Sequence, residues 1–413
     1  MNEEVRADPA AAIYDRLAEQ WPTVDFDEFH QQTLPALLDG GHGGVVAPAL
    51  ADKTPIAFKL KGGQAYTYLV DGQTISVVEG DSNADTVIET TAAAFSDFAN
   101  QLHSAHGLYF AGKIQVPVGF ANTLFEWEPA IRAMYHGRPV YDPDRLDLRD
   151  RSGKPLDLNR AFTPDDDDDQ MRHFLGEAGF LHVRGLFGRD EIARMNEATD
   201  EFCNKAEPGD RNSWWCRDDK GQQQLCRLIY LSTRSEVMSE AARDKRLERL
   251  ATRFGKGNQI TTHDRLDGAA VIMKVPGVVE GLADLPWHVD CGLGGHSVMC
   301  TTLQMSLLLG PANPDTGNLR VMAGSHQGSC NVGGAWDSDV HGPTLVDLNG
   351  EAGDCVLHLS DTLHTAPPPK GNGPYRRSFI TSYYRPEVLD MVGPGQGFND
   401  LIAARDDGMV GAF

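Results

Sequence analysis

From Ala269 onward the chain breaks into short apolar or alternating runs, residues 269–275, 298–309, 318–322, 354–359 and 377–384, each punctuated by Gly, Pro, Asn or Asp. Runs of this kind form strands, and a series of them closes into a sandwich or barrel. No internal repeat is present, so the fold is built once rather than stacked.

The rest of the chain is patterned differently. With 413 residues there is room for two or three compact units. Apolar residues at helical spacing (Ile13, Leu17, Trp21, Phe26, Phe29, Leu34, Leu37, Leu38) lead to Gly40-Gly41, which predicts a helical lead-in over residues 1–41. From Pro55 the period becomes two. Ile56, Phe58 and Leu60 alternate with other residues, Lys61-Gly62-Gly63 turns the chain, and Tyr66, Tyr68 and Val70 follow. Further strands are expected at Thr74–Glu79 and Thr86–Glu89, then a helix between Thr91 and His106 and a last one near Ala121–Met134. This makes residues 42–136 a small α+β unit. Residues 137–163 read as a linker, and 164–413 as the strand-rich unit. Thr163-Pro164 followed by Asp165 to Asp169 predicts a helix start, with Thr163 as cap and acids in the first turn.

Composition narrows the function. A hydrophobic content of 41% with 23% charged residues supports real cores and excludes wholesale disorder. The net charge of −22 repels phosphate backbones and anionic lipid surfaces, so nucleic acid is not an expected partner. No run approaches the ~18 apolar residues of a membrane span, and the acidic start MNEEVRAD is unlike a secretory leader. A cytoplasmic location is expected. The seven cysteines are odd in number and form no C-x-x-C pair, which predicts reduced, partly buried thiols.

The chemistry is carried by few residues. In Trp287-His288-Val289-Asp290 a strand would turn His288 and Asp290 to one side. With 14 His and 59 acidic residues, chance alone supplies about two His-x-Asp/Glu pairs, so this one has meaning only in context. The context is His364, in a loop directly after the strand-like 353–359 segment. Two imidazoles and one carboxylate occupy one face of an octahedral metal and leave three positions open, the facial triad of non-haem Fe(II) sites. Arg376 and Ser378 open the next strand on a shared face, and an Arg fork beside a hydroxyl suits the distal carboxylate of a diacid.

Residues from about 165 to 390 resemble the phytanoyl-CoA dioxygenase family of Fe(II)/2-oxoglutarate oxygenases. The resemblance rests on an ordered series: Gly179-Phe180-Leu181-His182-Val183-Arg184-Gly185-Leu186-Phe187; Lys274-Val275-Pro276 ahead of Pro286 to Asp290; Asp315-Thr316-Gly317-Asn318-Leu319 leading to Ala323-Gly324-Ser325-His326; Gly353-Asp354; and His364 with Arg376. It implies a double-stranded β-helix (jelly roll), with His288, Asp290 and His364 matching the iron ligands. Arg376 matches the 2-oxoglutarate arginine with Ser378 its helper, and Lys274 and Ser306 fall near cosubstrate-facing positions. His326 matches a structural element, not a ligand. The implied cofactors are Fe(II), 2-oxoglutarate and O2. Val289 stands where relatives often carry Gln, and Pro367-Pro368-Pro369 replaces small polar residues. Asp290 fills the position that halide-transferring relatives leave to Ala or Gly, so the resemblance implies hydroxylation.

Residues from about 45 to 135 are similar to the sterol-carrier-protein fold, through Phe58 to Gly63, the Thr67 to Val78 hairpin, Ala84 to Ile88 and Gly112 to Val116. That likeness implies a fold class of α+β for this unit and a lipid-like, terpenoid or steroid-like substrate, free or as a thioester. A small polar substrate with a purely structural first unit is the alternative, and a catalytically silent lipid-binding or assembly protein is another. His103 and His106 near a helix end read as capping residues. Trp214-Trp215 reads as either channel lining or buried anchors.

Overall fold

The computed structural model describes residues 21–254, 264, 266, 268–293, 298–299, 302–330, 342, 344–384, 391–392 and 397–403. The predicted helical positions Ile13 and Leu17, and Cys300, lie outside them. The chain divides into two compact units. One takes in residues through Asp144 together with Cys291–Met299 and Ser325–Ala335; the other takes in Arg145–Asp290, Cys300–Gly324 and the chain from Trp336.

In the first unit the period-two segments form strands β1 (Ile56–Leu60), β2 (Ala65–Asp71), β3 (Thr74–Glu79), β4 (Thr86–Thr90) and β5 (Ile114–Val118). They make one sheet in the order β3-β2-β1-β4-β5, with β1 parallel to β4 and the other pairs antiparallel. Helix Ala121–His136 packs its buried Leu124, Trp127, Ile131 and Met134 into the same core as Tyr68, Phe58 and Phe95. Three local expectations are corrected. Gly40-Gly41 does not stop the lead-in: Gly41 takes a φ of 119°, and the helical run resumes over Gly43–Val46. The helix expected between Thr91 and His106 is two helices, Ala92–Ala99 and Ala105–Phe110, capped by Thr91 and Ser104 and parted where Gln101 adopts a left-handed φ of 58°. His103 and His106 are not caps: His103 Nε2 accepts from Lys113 Nζ at 3.0 Å, and the His106 ring stacks on Phe125 with centroids 3.7 Å apart.

The second unit opens with helix Asp168–Ala178, capped by Asp167, whose carboxylate accepts from the Gln170 amide at 2.8 Å. Thr163 was the expected cap, but its amide and hydroxyl both donate to Asp166, which folds the Thr163 turn back on itself ahead of the helix. Strands β6 (Phe180–Val183), β7 (Ser213–Asp218), β8 (Gln223–Leu228), β9 (Ala270–Met273), β10 (Val278–Glu280), β11 (Leu285–His288), β12 (Leu303–Leu308), β13 (Leu319–Met322), β14 (Leu345–Leu348), β15 (Cys355–Leu359), β16 (His364–Ala366) and β17 (Arg377–Tyr383) follow. They make an eight-stranded sheet, β10-β7-β8-β9-β17-β12-β15-β6, and a four-stranded one, β11-β16-β13-β14. From β10 on, the chain passes back and forth between these sheets, with β13 and β14 consecutive in the smaller one, and β9-β17-β12-β15 facing β11-β16-β13-β14 is the strand order of a jelly roll.

Alternation assigns the faces of the large sheet. Leu303, Met305 and Leu307 of β12 join Phe379 and Tyr383 of β17 in the core that also holds Phe174 and Met195 from the helices. Gln304 and Ser306 turn to the opposite face. Gly353 has a φ of 95°, and a Cβ there would collide with the Phe187 carbonyl. Asp354 then accepts from the Gly185 and Glu351 amides and from His182 Nε2, tying β6 to β15. No helix among the described residues is long and apolar enough to cross a membrane.

Candidate metal centre

β11 ends at His288 and β16 begins at His364, and in the antiparallel β11–β16 ladder these two residues are direct cross-strand partners. Their ring centroids are 4.1 Å apart. Asp290 lies just beyond β11, where its amide donates to the Ser360 carbonyl at 2.8 Å. Asp290 lies beyond the strand, so the strand alternation that the sequence suggested does not bring His288 and Asp290 together, although their side chains still meet. Asp290 Oδ1 is 3.6 Å from His288 Nε2, Oδ2 is 3.7 Å from His364 Nε2, and one ligand atom from each residue lies within 4.8 Å of the others.

The tautomers suit a metal. His288 Nδ1 is 2.8 Å from the Pro286 carbonyl and His364 Nδ1 is 2.8 Å from the Thr362 carbonyl. A carbonyl only accepts, so each Nδ1 carries the hydrogen and each Nε2 presents a lone pair. Burial, reinforced by the nearby His288 and His358, holds the His364 pKa well below the ordinary imidazole value. Burial opposes ionisation of Asp290, yet His364, the hydrogen bond from His358 and His288 outweigh it and hold the carboxyl well below its usual range. Two Nε2 atoms and one carboxylate gathered in this way are a donor set for a divalent cation.

His358 is the residue that sequence reasoning missed. It sits on β15 with Nε2 3.1 Å from Asp290 Oδ2 and its ring 4.2 Å from that of His364. Its one sequence signal is an imidazole inside the apolar Cys355–Leu359 run.

The remaining candidates are placed as follows. Arg376 is 5% exposed, its Nε has no hydrogen-bond partner, and burial draws its pKa down to about 10. Ser378 is fully buried on β17 with an unpartnered Oγ. A buried cation and hydroxyl left without partners fit the far carboxylate of a bound diacid. Arg376 also borders a cavity of about 410 Å³ with Lys274, Leu309 and Tyr375, which the three clustered residues do not line. Ser306 lies mid-strand on β12, buried and paired in register with Val356 and Ile380. Lys274 departs from expectation. Its Nζ donates to Asp284 Oδ1 at 2.6 Å, to the Ala283 carbonyl at 3.1 Å and, in a very short contact, to the Ala366 carbonyl. An ammonium has three donors, so none is left for a cosubstrate. Gly317, with a φ of 87°, makes room for the Lys274 stem. Trp214 is an anchor: its Nε1 donates to Asn399 Oδ1 at 3.1 Å, and Arg227 lies over the ring at 4.5 Å.

A jelly roll that gathers two imidazoles and a carboxylate at the ends of two neighbouring strands defines a non-haem iron protein by class. Residues 175–378 match the phytanoyl-CoA dioxygenase (PhyH) family model. That part of the chain is a PhyH-family domain, and the protein is an Fe(II)/2-oxoglutarate-dependent oxygenase using iron, 2-oxoglutarate and O2. Solved structures similar to this chain include AviO1 from Streptomyces viridochromogenes Tue57, at 23% identity over 53% of this chain and 96% of that chain (TM-score 0.42). EctD from S. alaskensis is 19% identical over 60% of this chain and 83% of its own, with a TM-score of 0.42. EvdO2 from Micromonospora carbonacea var. aurantiaca, solved with 2-oxoglutarate, is 18% identical over 53% and 91%, with a TM-score of 0.40. A search of curated proteins gave no match.

Proposed function

We propose that the protein hydroxylates an unactivated C–H bond of an apolar substrate, lipid-like, terpenoid or steroid-like or an acyl thioester, with release of succinate and CO2. His288, Asp290 and His364 would hold the iron, and the observation that carries this is their three ligand atoms lying within 4.8 Å of one another. Arg376 would hold the far carboxylate of 2-oxoglutarate, with Ser378 donating beside it. Iron with 2-oxoglutarate and O2 supplies the oxidant; the chain orients the two carboxyl ends of the cosubstrate, places the C–H bond and keeps water away. The paired strands β11 and β16 present the two imidazoles with each Nδ1 turned to a backbone carbonyl, which leaves the Nε2 side of each ring for the metal.

In this reading residues 42–136 form the sterol-carrier-like domain, 137–163 the linker and 164–413 the oxygenase domain. The apolar substrate rests on the likeness of residues 45–135 to lipid carriers, and on the exposure of Tyr109, Val118 and Phe120 in that unit. One observation favours a small polar substrate and a structural first unit instead. The interior of that unit is filled by Phe58, Tyr68, Phe95 and Trp127, and the cavity bounded by Gln101, Glu128 and Tyr135 measures only about 10 Å³, room for about one water. The free thiols among the described residues fit a reducing, cytoplasmic setting.

Succinate formation by the full-length protein under Fe(II), 2-oxoglutarate and O2, with long-chain acyl and sterol candidates against polar amino-acid derivatives, tests both levels. Stimulation by apolar compounds supports the substrate assignment; stimulation by polar ones alone replaces it. No succinate from the wild type overturns the reaction itself.

A further inference from the structure

The proposed centre names three ligands, yet a fourth histidine is built against it. His358 is 5% exposed and stands in the large sheet, with Gln304 of β12 as its direct cross-strand partner. Gln304 in turn accepts a short hydrogen bond from Ser382 Oγ, its partner on β17. A polar row therefore crosses three buried strands and ends at the imidazole whose Nε2–H donates to Asp290 Oδ2 at 3.1 Å. The His358 Nδ1 is buried with no partner. A phenylalanine would fill the same space without stranding that nitrogen, so packing alone does not account for an imidazole here.

The backbone points the same way. Asp290 is held twice by one stretch of chain, through its amide on the Ser360 carbonyl and through its carboxylate on His358, and the same stretch ends in His364. Residues 358–364 thus deliver one member of the triad and both restraints on another. An N–H bond on Oδ2 fixes the carboxylate plane and leaves Oδ1, 3.6 Å from His288 Nε2, with its lone pairs unengaged.

We infer that His358 is a positioning residue for the metal centre, holding one oxygen of Asp290 so that the other is offered to the cation. The inference rests on reading His288, Asp290 and His364 as ligands.

Co(II), a redox-stable stand-in for Fe(II), is titrated into full-length protein and its visible absorbance followed for the wild type and for Asp290→Ala, His358→Phe, His358→Gln and His358→Asn. His358→Phe is expected to keep the wild-type circular dichroism and thermal midpoint while weakening Co(II) binding by about 10- to 100-fold. His358→Gln, whose amide N–H reaches as far as Nε2–H, should recover most of that loss, and the shorter His358→Asn should not. The Gln/Asn comparison stands even if the Phe variant fails to fold. Folded His358→Phe with wild-type affinity, or Gln and Asn variants of equal affinity, overturns the positioning role while leaving the triad intact. Equal binding by wild type and Asp290→Ala overturns the metal-centre reading, and this inference with it.

Discussion

Asp290 is surrounded by three imidazoles, and its carboxylate is the one negative charge among them. Asp290→Ala should therefore abolish succinate formation and Co(II) binding together; loss of turnover with unchanged metal affinity would detach the residue from the metal. Arg376 is expected to act on the cosubstrate alone. Hydrogen bonds to charged groups contribute about 1.5–3 kcal/mol, so Arg376→Met should raise the KM for 2-oxoglutarate by about 10- to 100-fold and leave Co(II) affinity unchanged. In the first unit, His30 is buried between the Phe26 carbonyl and the Tyr68 hydroxyl, and burial lowers its pKa from 6.5 to about 4. Above pH 6.5 both folded and unfolded states are neutral there and full stability is present. As pH falls from 6.5 toward 4, the unfolded chain takes a proton the folded one refuses, at a cost of up to about 3 kcal/mol. Denaturant midpoints of wild type and His30→Phe between pH 7.5 and 4.5 check this: the wild type should lose more stability over that range. His288, Asp290 and His364 were legible because residue type and order suggested them. His358 was not, since what sets it apart is a tertiary contact to Asp290 that no spacing encodes.

At the scale of elements, the short strands of the second unit could be read from alternation, because each buries one face. Their pairing could not: the neighbour of β11 is β16, separated from it in sequence by four other strands. Lys274 explains part of how that ladder is held. Its ammonium bridges Asp284, just ahead of β11, and the Ala366 carbonyl that ends β16, while burial draws its pKa down to about 8. Breaking a buried ion pair by removing one partner costs about 3–5 kcal/mol. Lys274→Met should accordingly lower the unfolding free energy read from denaturant titration by an amount in that range, and should weaken Co(II) binding because the strands bearing His288 and His364 lose their clamp. A variant with wild-type stability would show the clamp to be dispensable. The misjudged helix boundaries each have a local cause. Thr163 and Asp167 are both good caps, and Asp166 decides between them by engaging Thr163 through a turn. Gln101 splits a helix by taking a backbone conformation that its residue type does not announce.

Across the whole molecule, sequence order and spatial grouping diverge. Cys291–Met299 and Ser325–Ala335 interrupt the jelly-roll strands in sequence yet group with the first unit. Periodicity reports which face of a segment is apolar and not which unit the segment joins, so contiguous blocks read from sequence carry no sign of this grouping. The rule that His288 and His364 occupy opposing positions on neighbouring strands has its own outcome for assembly. A slip of one residue along that ladder would send the two rings to opposite sides of the sheet, so a mispaired jelly roll has no means of chelation. Cation uptake at the proposed site would then favour the single alignment able to bind. With Co(II) at a hundred times its Kd that preference is about 2.7 kcal/mol, and a chelator should erase it from the melting curve of the oxygenase unit while leaving the first unit untouched.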